Sequence, residues 1–274
     1  MERVSRRDDA PTGAGPASEA PSAAALDAAL ADALSALADG TDARFSVAVL
    51  DTGSAARAVC GADAYDTASI VKVDILAALL LRAQDAGREL TAQERSHAAV
   101  MIERSDNDAA TTLWREIGGA EGLHAANERL GLTDTYGDAS GRWGLTRTTA
   151  ADQLTLLRQV FTEGPHVFTE GQAGGEATLG ERSRAYIRRL MGQVVPEQAW
   201  GVSAAADDPA LTRLKNGWLP RTATGLWDVN SIGQVTAKGR TYLVAVLSDG
   251  HPDKDSGVAL VERAARAALG VALS

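Results

Sequence analysis

The sequence holds a single cysteine, Cys60, so no disulfide can form within the chain, and the plain reading of that thiol is a half-buried strand residue. Its four histidines, His97, His124, His166 and His251, are far apart and show none of the paired spacings of a metal site, so no metal and no other cofactor is expected. A phosphate-binding glycine loop is absent as well. No run of about 18 apolar residues occurs, which leaves no expected membrane span. Residues 1–20 are charged at first and then rich in Pro, Gly, Ala and Ser, without the apolar core of a secretory signal. They read as a disordered arm, and the chain as written reads as cytoplasmic, or as extracytoplasmic if a leader has been removed. Positive charge is in short supply: 27 Lys and Arg stand against 36 Asp and Glu, a net charge of -9. That balance argues against a general nucleic-acid or anionic-membrane binder and leaves a small-molecule or peptide substrate open. Oligomeric state is not legible.

What the chain does have is a large apolar share, 45% of 274 residues, enough to bury a sizeable core. Leu26, Leu30, Leu34 and Leu37 recur at helical spacing after Pro21-Ser22, and Asp39-Gly40 ends that helix. Strands are expected at 44–50 and 56–60, joined by the turn Asp51-Thr52-Gly53-Ser54. Helical patterns then follow almost without interruption at 69–86, 91–103, 107–116, 120–130, 148–162 and 180–193, with surface loops at 136–142 and 171–180. Strands return at 211–219, 228–236 and 241–248, and an amphipathic helix over 258–272 closes the chain. The fold class is therefore α+β: a mostly antiparallel five-stranded sheet flanked by helices, with an inserted all-helical lobe. The expected division is one two-lobed domain, 21–274, with an α/β lobe of 21–66 and 205–274 and a helical lobe of 67–204.

The chain is organised around Thr67-Ala68-Ser69-Ile70-Val71-Lys72, which enters a helix too apolar for a surface position. Tyr65-Asp66-Thr67 reads as a polar turn, placing Ser69 at or just inside the helix start. Residues three apart share a helix face, so Lys72 can reach the Ser69 hydroxyl as its base. Free backbone NH groups at the helix start suit a developing oxyanion, and the dipole there disfavours a protonated lysine. A Ser-x-x-Lys pair alone is common. Two further motifs raise it: Ser105-Asp106-Asn107 between two helices, where the residue types also suit a helix cap, and Lys215-Asn216-Gly217 in a strand, where glycine lets the backbone approach a ligand.

In this order and setting the three motifs resemble the serine penicillin-recognising enzymes, and most closely the class A β-lactamase-like family. The resemblance runs from about Leu26 to the last helix and includes the strands at 227–233 and 240–246. It implies that Ser69 is the acylated nucleophile and Lys72 its proton acceptor, directly or through water. Ser105 would relay the proton to the leaving group, with Lys215 keeping the electrostatics favourable. The oxyanion hole would be the backbone NH groups of Ser69 and Trp218, and Asn107, Asn216 and Gly217 would bind substrate, Asn107 through the substrate's amide carbonyl.

The chain departs from that family in two places. No glutamate lies between Glu128 and Glu163, where the family's long loop carries the one that activates the deacylating water. Asp138 is the only carboxylate of the short link besides Asp134, and its plain reading is a solvated loop residue. Asn216 replaces the threonine or serine whose hydroxyl helps hold a substrate carboxylate, and 228–237 contains no arginine for a second contact; Arg213 and Arg221 are near in sequence. The expected activity is a serine acyl-enzyme hydrolase or acyltransferase acting on an amide, ester or lactam, and not an efficient β-lactamase. The rival is a binding or sensor protein that acylates without turnover. A purely structural protein would make the four catalytic-type residues coincidental.

Overall fold

Eleven consecutive residues of one helix, from Val71 to Leu81, are buried, and the rest of the molecule is layered about that rod. The computed structural model describes residues 21–162 and 178–272; the expected arm at 1–20 and most of the expected loop at 171–180 lie outside these. The chain opens with α1 (Ala23–Ala38), started by the Ser22 hydroxyl accepting from Ala25 N, and continues into the hairpin of β1 (Arg44–Asp51) and β2 (Arg57–Cys60). After β3 (Tyr65–Asp66) a 3-10 turn, Ala68–Ile70, leads into α2 (Val71–Asp85). Next come α3 (Ala92–Glu103), α4 (Asn107–Ile117) and α5 (Gly119–Leu130). A second 3-10 turn, Trp143–Leu145, precedes β4 (Arg147–Thr148), α6 (Ala150–Phe161) and α7 (Glu181–Met191). Three short 3-10 turns then deliver the chain to β5 (Arg213–Pro220), β6 (Trp227–Ala237), β7 (Arg240–Asp249) and α8 (Lys254–Ala272).

The main sheet has the order β2-β1-β7-β6-β5 and is antiparallel throughout. Side chains alternate across it with period two, and that alternation sorts the core. Val47, Val49, Val244 and Val246 face α1 and α8, meeting Leu30, Leu34, Val261 and Leu269. Ala48, Leu50, Leu243, Ala245 and Leu247 face the helical side and join the core built around Ile75, Leu76 and Leu79 of α2. A helix segment apolar on all sides belongs in an interior, and two of the four charged residues of α2, Lys72 and Asp74, are carried in with it.

Two local expectations are corrected. Tyr65-Asp66 is not a turn but a two-residue strand, paired Tyr65↔Thr148 and Asp66↔Arg147. The helix expected from 148 starts at Ala150, with Thr149 as its cap, accepting from Asp152 N. Strands of two residues are too short to show a period in sequence.

Candidate active site

Ser69 lies in the 3-10 turn just ahead of α2, not within the helix. The turn is fixed from two sides. Thr67 N donates to Thr146 O at 2.8 Å, and the buried Asn230 of β6 donates from Nδ2 to Asp66 O at 2.9 Å and Thr67 O at 3.1 Å. Asn230 Oδ1 in turn accepts from Ser248 N. From the third side comes Gly217 of the edge strand β5, where an added Cβ would stand 2.7 Å from both Ser69 N and Thr67 O. Glycine is required there by close approach of two backbones, as its place in a strand predicts. Ser69 is half-buried, and its hydroxyl makes no hydrogen bond with the described residues.

The helix pair α3–α4 supplies the second group. Asp106 caps α4, accepting from Ala109 N at 2.8 Å, which frees its two neighbours for other work. Ser105 takes a left-handed φ of 57° and turns its hydroxyl inward. Lys72 Nζ donates to Ser105 Oγ at 3.0 Å, to Ser105 O at 2.6 Å and to Asn107 Oδ1 at 2.8 Å. Lys215, from β5, donates to the same Ser105 Oγ at 3.1 Å and to Asn216 O at 2.9 Å. One hydroxyl thus lies between two amines, neither of which has any exposed surface. Burial lowers Lys72 to about 7, partly offset by Asp106. Lys215 is lowered well below its ordinary range, by burial first and then by Lys72. Two like charges sharing a dry site hold their protons weakly, so the trio can pass a proton at neutral pH.

These groups border a cleft of about 720 Å³ lined by Ser69, Asn107, Thr111, Arg142, Trp143, Trp218 and Arg221 among others. Among the described residues no Asp or Glu lines it. Trp143 stands over Lys72, its ring centroid 4.8 Å from Nζ. At the far end Arg221 is bound to Asp66 and approaches Asp228 at 3.6 Å, and despite that cation burial holds Asp228 up at about 6. Among the described residues no group of three His, Cys, Asp or Glu is placed to hold a metal.

The structure brings Ser69, Lys72, Ser105, Asn107, Lys215, Gly217 and Trp218 to one place. It does not bring the Asn216 side chain. That amide is fully buried and donates from Nδ2 to Gln198 O and Trp200 O, both at 2.8 Å, so it braces the 3-10 region behind the strand and cannot hold a substrate. The reason is strand alternation: Lys215 and Gly217 face the nucleophile, so residue 216 points the other way. Asp138 is tied to Ser140, Arg142 N and the Arg142 side chain and does not line the cleft, in keeping with a loop brace. Sequence reading missed Asn230 as the pin of the nucleophile turn and Trp143 as the cover of Lys72. A lone buried-type Asn inside an apolar strand was the available signal for the first.

With the geometry in hand, the comparisons are consistent with one another. Solved structures share the fold: a class A beta-lactamase from Bacteroides cellulosilyticus (17% identity, TM-score 0.71, 90% of this chain and 98% of that one) and the TLA-1 extended spectrum beta-lactamase (16%, 0.74, 92% and 99%). So does a PBP-A mutant captured as an acyl-enzyme with penicillin-G (19%, 0.68, 88% and 94%). In sequence, the provisionally named lipoprotein LppW of Mycobacterium tuberculosis is 36% identical over 114 residues, 41% of this chain. The chain spans about a third of that relative's length, 36%. The model of the beta-lactamase enzyme family matches residues 87–272, a span that holds Ser105 and Lys215, with Ser69 and Lys72 just ahead of it. The fold, the shared hydroxyl and this match lead to one conclusion: the chain belongs to the beta-lactamase enzyme family.

Proposed function

We propose that the protein is a serine acyl-enzyme hydrolase or acyltransferase that opens an amide, ester or lactam bond through Ser69. The observation that carries this reading is the Ser105 hydroxyl held at 3.0 and 3.1 Å between two fully buried lysine amines, beside an unengaged serine at the mouth of a cleft. A cleft that only holds ligands has no need of such a trio, because burying two amines costs stability. In the reaction, Ser69 Oγ attacks the substrate carbonyl and its proton passes to neutral Lys72. Ser105 then gives its proton to the leaving nitrogen or oxygen and is resupplied from Lys72, while the Lys215 amine steadies the charge on Ser105. The NH groups of Ser69 and Trp218 receive the oxyanion, a role supported by the contact of Gly217 with the Ser69 backbone. Asn107 Oδ1 is already taken by Lys72, so its Nδ2 is the end available to a substrate carbonyl.

Deacylation is the weak step. With no carboxylate among the described residues that line the cleft, Lys72 and Ser105 are the groups at hand to activate water, which disfavours fast penicillin hydrolysis. That observation also favours a second reading, a sensor that stays acylated. The lipoprotein designation of the mycobacterial relative supports an extracytoplasmic setting. Intact-protein mass after exposure to a penicillin and, separately, to a chromogenic short-chain ester tests both readings, with Ser69→Ala as control. An adduct on the parent alone, slowly released, supports the hydrolase; an adduct never released supports the sensor. No adduct from either compound overturns the Ser69 assignment.

A further inference from the structure

Lys72 has no exposed surface, although the cleft it adjoins is open. The residue over it is Trp143, and the indole is fastened at two points. Its ring faces Lys72 Nζ at 4.8 Å, and its Nε1 donates to Thr111 Oγ1 at 3.1 Å, while the Thr111 hydroxyl donates to Asn107 O at 2.9 Å. The turn that carries it abuts the nucleophile turn, where an added Cβ on Gly144 would stand 3.9 Å from Ala68 Cα. The ring therefore forms the wall of the cleft on the Lys72 side of Ser69, where an attacking water would need its base.

An aromatic face gives a water nothing to hold, since an ordered water needs about 2–4 polar partners. Once Ser105 has been resupplied, Lys72 is again a neutral amine in the acyl-enzyme, and what the ring denies it is a held water from which to take a proton.

We propose that Trp143 decides the fate of the acyl-enzyme, excluding water from the Lys72 side so that the acyl group outlives hydrolysis and passes to a primary amine. An amine needs no base before it attacks. Its nitrogen bonds to the acyl carbon, the bond from that carbon to Ser69 Oγ breaks, and one amine proton returns to Ser69 Oγ through Ser105. The products are an amide and free Ser69. The inference rests on Ser69 being the acylated nucleophile.

The test follows adduct mass on the parent, Trp143→Ala, Trp143→Phe and Thr111→Val after labelling with a penicillin and removing the excess, with and without glycinamide as acceptor. In water the parent adduct should outlast that of Trp143→Ala at least tenfold, with Trp143→Phe and Thr111→Val between them. Glycinamide should shorten the parent adduct's life and yield the amide. The pH midpoint of adduct loss should rise in Trp143→Ala as Lys72 becomes hydrated, a change that a merely structural role would not produce. Equal lifetimes in parent and Trp143→Ala, or no effect of glycinamide, overturn the proposal while leaving the nucleophile intact. A parent that never labels overturns the Ser69 reading itself. Should Trp143→Ala fail to melt cooperatively, Thr111→Val decides, and a parental lifetime there overturns the proposal.

Discussion

Lys72 and Asp74 sit two residues apart on α2, both without exposed surface, and their surroundings differ in kind. The amine of Lys72 meets three acceptors, and the cluster it belongs to reaches the cleft through half-buried Ser105 and exposed Asn107. The Asp74 carboxyl accepts from one other side chain among the described residues, Gln153 Nε2 at 3.3 Å, and among those residues its Oδ2 and the Gln153 Oε1 have no partner. From Gln153 a sealed chain continues to the Thr148 hydroxyl, to Thr135 and to Asp152 Oδ2. Burial acts on the two charges alike, pushing Asp74 up to about 7 and Lys72 down to about 7, because each loses water in its ionised form. A displaced pKa therefore does not by itself mark a reactive centre. What separates the two is a path of hydrogen bonds leading to a place where a substrate can stand. In its acid form Asp74 supplies a donor that the ionised form lacks, so the sealed cluster is best satisfied when neutral.

If that contrast holds, disabling the cleft cluster should cost activity and not stability. Lys215→Met should slow acylation by about 10²–10⁴, measured by stopped-flow labelling, with a melting temperature equal to the parent's or higher because a buried amine is gone. Gly217→Ala should lower acylation by about 10²–10³, the effect of losing an oxyanion donor, since the new methyl forces β5 away from the Ser69 backbone. A parental rate in that variant would break the link between close approach and the oxyanion site. In the parent, acylation should rise with pH and level off above about 7 as Lys72 loses its proton.

The sealed cluster should show the reverse. Because the folded pKa of Asp74 lies above its unfolded value, the folded state binds the extra proton between about pH 4 and pH 7. Stability from this group is complete below that window and is lost as pH rises through it. Asp74→Asn should flatten that decline, gaining on the order of 3–4 kcal/mol over the parent at pH 8 from the linkage, with acylation within threefold of parental. Chemical denaturation at pH 4 and pH 8 checks it. A large activity loss at unchanged stability would place Asp74 in the chemistry and remove the distinction drawn above.

Much of the fold was legible because its signals are local. The order of helices and strands followed from apolar spacing, and the observed ends differ by a few residues, as for β5, expected at 211–219 and found at Arg213–Pro220. The pairing of β3 with β4 was not legible, since two residues carry no period and their partners are far apart in sequence. At the site, each motif announces its own residue types, but the meeting of Lys215 with Ser105 spans 110 residues and depends on the whole sheet order. Asn216 shows the limit. A motif suggests that its middle residue meets the substrate, and only the position of the loop holding Gln198 and Trp200 reveals that the amide has another employment. Trp143 could not be read from sequence as the cover of Lys72, because a single aromatic in a loop has no pattern around it.

Ser105 adopts a backbone conformation that a residue with a side chain rarely takes, with φ at 57°. Folding and reaction therefore ask for different residues at one position. Glycine would relax the backbone by about 1 kcal/mol, and serine alone brings the hydroxyl on which both lysines converge. Ser105→Gly should melt above Ser105→Ala while both fail equally to acylate. The position is a local conflict of interest within the polypeptide, settled in favour of the proton's route over the chain's own comfort.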